Sequence, residues 1–429
     1  MPFGLFRPKL SPVLADFGSA GVKLLQTTLG EKPAVAAAGF IPFTDELRAQ
    51  PLEDRFAFLA KELPLALKEH GFGAGRVVLA PFSQHMLVQH IGVPAADAAR
   101  ADEVVRTQIA IALGCDPAAL VVRTSPVCET SRDGQPKSET IAFAMSREDV
   151  MRYVDLFRRA KCSVVGVHAE IAALVHAFDH VNRRIEDAGT TTMYVDLGYS
   201  GTKVAICHGA QMVFAKCIAI GGRTFDARLA ELRRLAPADA RALRLSEGIR
   251  PVRAAAQNAA QNAAQNSAPT AASAGATSAP VDAGLAILRA AVARAETDGA
   301  TPATAVDRRG NGVAPALGAS LSGAAQPSVA AEVRETVESL CDELGMCTRY
   351  HGALFRDRRI DRVVFLGGEA RDVGLCQALA GSLRLPAKAG DPMARYLANG
   401  PAPAGLPEPA AAHPGWAVAC GLASAPTDL

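Results

Sequence analysis

Two stretches of this chain place an acid and a glycine where a strand ends. Asp16, Gly18 and Ser19 stand in "VLADFGSAGVKLL" (residues 13–25), and Asp196 and Gly198 in "MYVDLGYSGTKVAIC" (residues 193–207). In each, one apolar run precedes Asp-x-Gly and another follows, the pattern of a strand hairpin. Glycine at such a bend lets the backbone turn back with its amides exposed, and successive amides form a concave anion site. The aspartate carboxylate points to the same spot. It would repel a phosphate unless a hard cation lay between them, and Mg2+ is the usual one. Two such turns facing each other would grip a triphosphate from both sides, with Asp16 and Asp196 sharing the metal. The duplication then marks a site between two lobes, one turn from each.

A lone Asp-x-Gly marks ordinary turns, so further elements matter. In "VVFLGGEAR", Gly367 and Gly368 end a strand and permit close approach of a flat ligand. "AIGGRTFDARL" supplies a second pair, Gly221 and Gly222, just after the second hairpin.

The elements that must position these residues follow from periodicity. A third strand is expected near 34–40, then a helix in "EDRFAFLAKELPLALKEHGFG" and a strand in "RVVLAP". The glycines of "GFGAGR" follow a helix and precede a strand, the reverse of a dinucleotide fingerprint, and read as a helix stop. Residues 84–167 read as strand, helix, strand, strand, helix, strand, with "RDGQPK" as a hairpin turn: an inserted α+β unit. A helix over about 169–187 leads to the second hairpin. Residues 251–326, including "AAAQNAAQNAAQN", carry too few large apolar side chains to offset ordering entropy and read as a disordered insertion. Within it only "LAILRAAVARAE" has a helical pattern, and the Gln-Asn run reads as a solvated tether before it reads as an association segment. A long helix follows, with Val333, Val337, Leu340, Leu344, Cys347, Tyr350 and Leu354 on one face. "GWAVACGLA" reads as a last helix docking on the core.

Composition excludes several classes. The chain has 429 residues, long enough for two domains or more. Its net charge is only +2, with basic residues dispersed, which argues against nucleic acid as a partner. Nine cysteines without a Cys-x-x-Cys pair read as reduced thiols, not a zinc site or a disulfide framework. "MPFGLFRPKLSP" lacks an apolar core segment and reads as a tail over residues 1–12, and no apolar run is long enough to span a membrane.

With these motifs in place, the chain resembles the actin, DnaK-type chaperone and sugar-kinase ATPases, and "IGGRTFDARLA" is similar to the corresponding chaperone segment. The inserted unit sits where the FtsA and PilM branch replaces the usual actin subdomain. "DFGSAGVKLLQ", "YVDLGYSGTKVAI", "IAIGG", "VVFLGG" and the closing "AVACGLA" are most similar to the PilM family of type IV pilus assembly proteins. The likeness covers nearly all of the chain outside 251–326.

The resemblance implies an α/β, actin-like (ribonuclease H-like) two-lobed ATPase fold with an inserted α+β subdomain of the FtsA/PilM type. The first lobe would be residues 13–83 with 168–190, and the second 191–250 with 327–429. ATP and Mg2+ are the implied cofactors. Asp16, Gly18 and Ser19 match the first phosphate turn, and Asp196 and Gly198 the second. Gly221 and Gly222 lie where the family approaches the ribose. Gly367, Gly368 and Arg371 match the adenosine turn, where an arginine can stack on adenine. Glu170, in "HAEIAAL", matches an acid that orders the attacking water. The implied activity is at most a weak ATPase. The implied partner is the cytoplasmic N-terminal peptide of a PilN-like inner-membrane protein, with a pilus or secretion ATPase and self-association as further contacts. The chain would be cytoplasmic and peripheral to the inner membrane through those partners, without inserting into it.

Four positions depart from the family pattern: Ile171 where a proline follows the acid, Tyr199 where a small residue is usual, and Arg241 and Arg244 where an acid and a lysine hold the ribose. They favour a nucleotide-free scaffold as one alternative. An FtsA-like filament protein is another, although the chain stops at "GLASAPTDL" without a basic amphipathic helix. A sugar or acetate kinase is a third, with the wrong type of insertion. Single residues also have plainer readings. Lys23 either reaches a phosphate or faces solvent. His176 and His180 could seat a metal only with His168 as a third ligand. Cys341 and Cys347 read as side chains of the amphipathic helix, and Asp226 as a helix-start residue.

Overall fold

The computed structural model describes residues 9–249 and 327–425 apart from 74, 133, 183–184, 404 and 407–410, so the expected insertion at 251–326 and its helical segment lie outside the described residues. The chain opens with β1 (Val13–Gly18), β2 (Gly21–Thr27) and β3 (Val35–Pro42), then α1 (Asp45–Ala49), α2 (Leu52–Glu69) and β4 (Arg76–Ala80). Next come β5 (Leu87–Pro94), α3 (Ala101–Leu113), β6 (Leu120–Arg132), β7 (Gln135–Ser146), α4 (Arg147–Arg159), β8 (Ser163–Val167) and α5 (Glu170–His176). The second half runs β9 (Thr191–Leu197), β10 (Thr202–His208), β11 (Gln211–Ile218), α6 (Gly222–Arg233), α7 (Pro237–Glu247), α8 (Val329–Glu332) and α9 (Arg334–Leu354). It closes with β12 (Arg362–Leu366), α10 (Val373–Leu383), β13 (Ala387–Ala389), α11 (Ala394–Leu397) and α12 (Ala417–Leu422).

Two five-stranded sheets repeat one topology. Their orders are β3-β2-β1-β4-β8 and β11-β10-β9-β12-β13. In each, an antiparallel three-strand meander continues into two parallel strands. The central strands β1 and β9 are buried along almost their whole length, which is why they read as unbroken apolar runs and not as alternating ones. A third sheet, β5-β7-β6, is antiparallel and is covered by α3 through Val105, Ile109 and Ala110.

This sheet sets the limits of the insertion differently from the expected 84–167. The pattern of strands and helices gives their order but not their partners. β8 pairs in parallel with β4 and completes the first five-stranded sheet. Helix α4, started by the Ser146 hydroxyl accepting from Asp149 N–H, turns Tyr153, Leu156 and Phe157 into that sheet's core. There Phe17, the residue between Asp16 and Gly18, meets Tyr153, Phe82 and Phe157 edge-on at 4.9, 5.4 and 6.0 Å. The first turn is thus anchored through its own central side chain.

Two helices differ from expectation. α5 ends at His176, where the chain breaks into turns and His176 Nδ1 bonds Asp179 Oδ2 at 2.9 Å, so the helix expected to run to 187 is short. On α9, Val337, Leu340, Leu344 and Cys347 are buried as expected, but His351 takes the place on the buried face given to Tyr350, which is exposed. Among the described residues no helix is long and apolar enough to cross a membrane.

α5 and α12 cross at the seam between the two large sheets. A Cβ on Gly421 would fall 1.6 Å from the Ala173 carbonyl oxygen and 3.0 Å from Ala177 N. The crossing therefore tolerates only glycine. Because α5 starts at Glu170, it also sets where that acid stands. Substituting Gly421→Ala forces the helices apart and is expected to cost at least about 1–3 kcal/mol. A urea titration showing a lower midpoint with unchanged slope would register it; an unchanged midpoint would refute the close contact.

Candidate functional site

The hairpin registers bring the motif residues together. Asp16 pairs across the ladder with Lys23, and Asp196 with Lys203. Cross-strand neighbours are within side-chain reach. Lys23 Nζ lies 3.0 Å from Asp16 Oδ2, and Lys203 Nζ lies 3.1 Å from Asp196 Oδ2. Both turns thus carry the same string, Asp-x-Gly-x-x-Gly-x-Lys, at 16–23 and 196–203. Motif spacing alone misses Lys203; laying one hairpin on the other from aspartate to lysine finds it. Lys23, for which phosphate contact and solvent exposure were both open, turns its ammonium toward Asp16.

The two turns face each other, as two opposed hairpins require. Ser200 N–H donates to Ser19 Oγ across the lobes at 3.3 Å. Glu170, the first residue of α5, reaches the same place, with Oε1 2.6 Å from Lys203 Nζ. Asp16, Asp196, Glu170, Lys23 and Lys203 therefore share one cleft. Burial pushes the Glu170 carboxyl up to about 7, with Lys203 opposing and Asp16 and Asp196 adding to the rise. Burial works against the Lys203 charge, but Glu170 and Asp196 outweigh it and hold its pKa above the usual lysine range.

The glycine pairs serve backbone contacts within this cleft. Gly221 lies against the second turn: Gly222 N–H donates to Gly198 O at 3.1 Å, and Arg223 N–H to Tyr199 O at 2.8 Å. Gly367, at φ +89°, is in the left-handed region, and a Cβ there would meet Leu197 O at 2.2 Å and Asp196 Oδ1 at 2.6 Å. A Cβ on Gly222 would meet the Glu369 carboxylate at 2.2 Å. Only Gly368 among the four faces open space. Arg371 lies exposed at the end of the short turn Gly368–Arg371.

Between the glycine pairs lies a charged cluster that sequence reasoning did not assemble. Arg244, on α7, is fully buried and bonds Asp226 Oδ1 and Glu369 Oε2, each at 2.6 Å. Asp226 is therefore an ion-pair partner inside α6 and not a helix-start residue. Arg241 explains another departure. Its guanidinium stands over the Tyr199 ring at 4.9 Å, and Arg48 of the first lobe stands over it at 5.3 Å. Arg241 also pairs with Asp45 at 3.3 Å. The bulk of Tyr199 is thus part of a lobe-to-lobe contact.

A divalent ion does not fit these donors as they stand. Asp16 Oδ2 and Asp196 Oδ2 each hold a lysine, and of the oxygens of these two acids it is Asp16 Oδ1 that is buried without a hydrogen-bond partner. Nor do three or more His, Cys, Asp or Glu side chains among the described residues converge on a point where an ion would sit. The expectation that Asp16 and Asp196 share Mg2+ meets ammonium groups at the positions the ion needs. His176, whose spacing from His180 could seat a metal only with a third ligand, is bonded to Asp179. All nine cysteines are free of disulfides.

Two outcomes are expected from this geometry. Arg244→Ala leaves Asp226 and Glu369 buried and unpaired, which costs about 3–5 kcal/mol; chemical denaturation reads it, and a loss below 1 kcal/mol would refute the buried cluster. The second concerns pH. With its pKa raised from 4.5 to about 7, folded Glu170 holds its proton more tightly than the unfolded chain does. Its ionisation therefore lowers stability as pH rises through that window. Glu170→Gln cannot ionise, so its melting temperature should gain on wild type between pH 5 and 7; a constant gap rules out the raised pKa.

No known family matches the sequence, and no curated protein matches it. Among solved structures, the chain is similar to a "PilM-PilN type IV pilus biogenesis complex", with TM-score 0.64, 16% identity, and coverage of 96% of this chain and 97% of that one. The ethanolamine utilization protein EutJ from Carboxydothermus hydrogenoformans (TM-score 0.45, 12% identity, 97% and 90% covered) and MreB 5 of Spiroplasma citri bound to AMPPNP (0.43, 11%, 92% and 95%) are more distant and carry no weight here. The end-to-end match at 0.64 settles the architecture: the chain has a PilM-like, actin-like two-lobed α/β fold.

Proposed function

We propose that this chain is an adaptor with an actin-like fold, at the cytoplasmic face of a type IV pilus or related secretion or competence platform. It would bind the short cytoplasmic N-terminal tail of a PilN-like inner-membrane protein and be held at the membrane through it. One observation carries this reading: the match to the PilM–PilN complex spans 96% of the chain, so it takes in the inserted three-stranded sheet as well as both lobes. The tail would lie in the groove between that sheet and the first lobe.

The inserted sheet is also tied to the second lobe, which gives the groove a means of sensing lobe angle. His90 on β5 accepts the Ala215 N–H of β11 at 3.2 Å, and its ring lies on Phe214 at 5.1 Å and near Tyr350 at 5.3 Å. Burial lowers its pKa to about 4, which keeps the ring neutral and able to accept. ATP is the ligand we assign to the cleft between the opposed turns, selecting one lobe arrangement by its differential affinity. Lys23, the more exposed of the two lysines, is the counter-charge for its phosphates, and Gly368 leaves room on the adenosine side. Glu170, tied to Lys203, is poorly disposed to direct a water, so the reading includes no more than weak hydrolysis.

The test is titration of labelled cytoplasmic tails, from single-span membrane proteins encoded beside this gene, against the full chain with and without ATP. Saturable binding that tightens with ATP is expected. If none of the tails binds, the adaptor reading is lost; if one binds equally in both conditions, the nucleotide is no switch.

A further inference from the structure

The three carboxylates of the cleft already have resident cations, and one of them joins separate parts of the fold. Lys203 stands on β10 of the second sheet. Its ammonium lies 3.1 Å from Asp196 on the neighbouring strand and 2.6 Å from Glu170 at the head of α5, which follows the first sheet. The lysine side chain is only 11% exposed, and its acids 8% and 12%. A buried ammonium bonded to two buried carboxylates occupies the location and supplies the charge that a bridging metal would otherwise provide. Lys23 does the same for one oxygen of Asp16.

We propose that Lys203 is a built-in cation, clamping the second turn to α5 in place of a divalent metal, so that this site takes no Mg2+ while that lysine is present. The inference rests on the fold and on these distances, and is independent of the adaptor reading. A divalent ion entering at Asp196 would bring two further positive charges beside an ammonium about 3 Å from the same oxygens, a repulsion that only displacement of the lysine relieves. Removing the ammonium reverses the balance. Asp196 and Glu170, both within reach of the point the ammonium held, then present hard oxygen donors for a cation whose remaining positions water completes.

The probe is Mn2+ alone, as a paramagnetic stand-in for Mg2+, added to metal-free full-length protein without nucleotide and followed by loss of the free-ion EPR signal. Wild type should leave the signal unchanged. Lys203→Met should take up Mn2+ stoichiometrically, and the double variant with Asp196→Asn should lose that uptake. Lys203→Gln, which is one atom shorter but keeps hydrogen-bonding capacity, provides a second route if the methionine variant fails to fold. Stoichiometric Mn2+ uptake by wild type that Asp196→Asn abolishes would overturn the proposal, as would a folded Lys203 variant that takes up none. Failure of every tail peptide to bind would remove the adaptor reading and leave this result standing.

Discussion

The main-chain packing around the second turn is the constraint from which the rest of the cleft follows. A Cβ on Gly221 would lie 2.5 Å from Gly198 O, one on Gly367 2.2 Å from Leu197 O, and one on Gly201 2.6 Å from Ile218 O. Four segments of chain therefore meet at residues 197–201 at separations only glycine permits. Side chains cannot adjust such contacts, so the ends of β9, β11 and β12 and the start of α6 are located relative to one another by backbone alone. Asp196, Lys203 and Glu369 inherit fixed positions from this junction. The first turn has a looser support, the aromatic side chains around Phe17, and meets the second through the hydroxyl of Ser19.

The charges gathered there are better understood as geometry than as stability. Burying an ion costs several kcal/mol, and attraction to a partner roughly offsets it, so a buried pair adds little net stability over a well-packed apolar one. What the pairs supply is direction. Arg244 holds Asp226 on α6 and Glu369 beside Gly368 to a single orientation, and Lys203 does this for Asp196 and Glu170. Tyr199 between Arg48 and Arg241 adds a lobe-to-lobe contact that is partly exposed and so weaker. Together they give the cleft an internally consistent arrangement of charge.

Much of this was legible in the sequence because it depends on local pattern. Paired apolar runs around Asp-x-Gly give hairpins wherever they occur, and both registers follow from turn length. The opposed turns and Glu170 beside them are where the motifs place them. Pairing across long separations was not legible. Nothing in "SVVGV" says that β8 joins β4 and not the inserted sheet, since parallel pairing leaves no turn signal. The Arg244 cluster joins residues 226, 244 and 369, and Lys203 meets Glu170 from another element, so neither leaves a spacing to read. The glycine pairs read as ligand approaches, but glycine is equally demanded by protein backbone, and the two causes look alike in a sequence.

The two chain ends that flank residues 250–326 are each fastened to the second lobe. Ile249 N–H donates to Asp372 Oδ2 at 2.8 Å, while Arg233 holds Glu332 and the Pro327 carbonyl, both at 2.8 Å. Residues 249 and 327 are therefore each held by the second lobe itself, through bonds made outside 250–326.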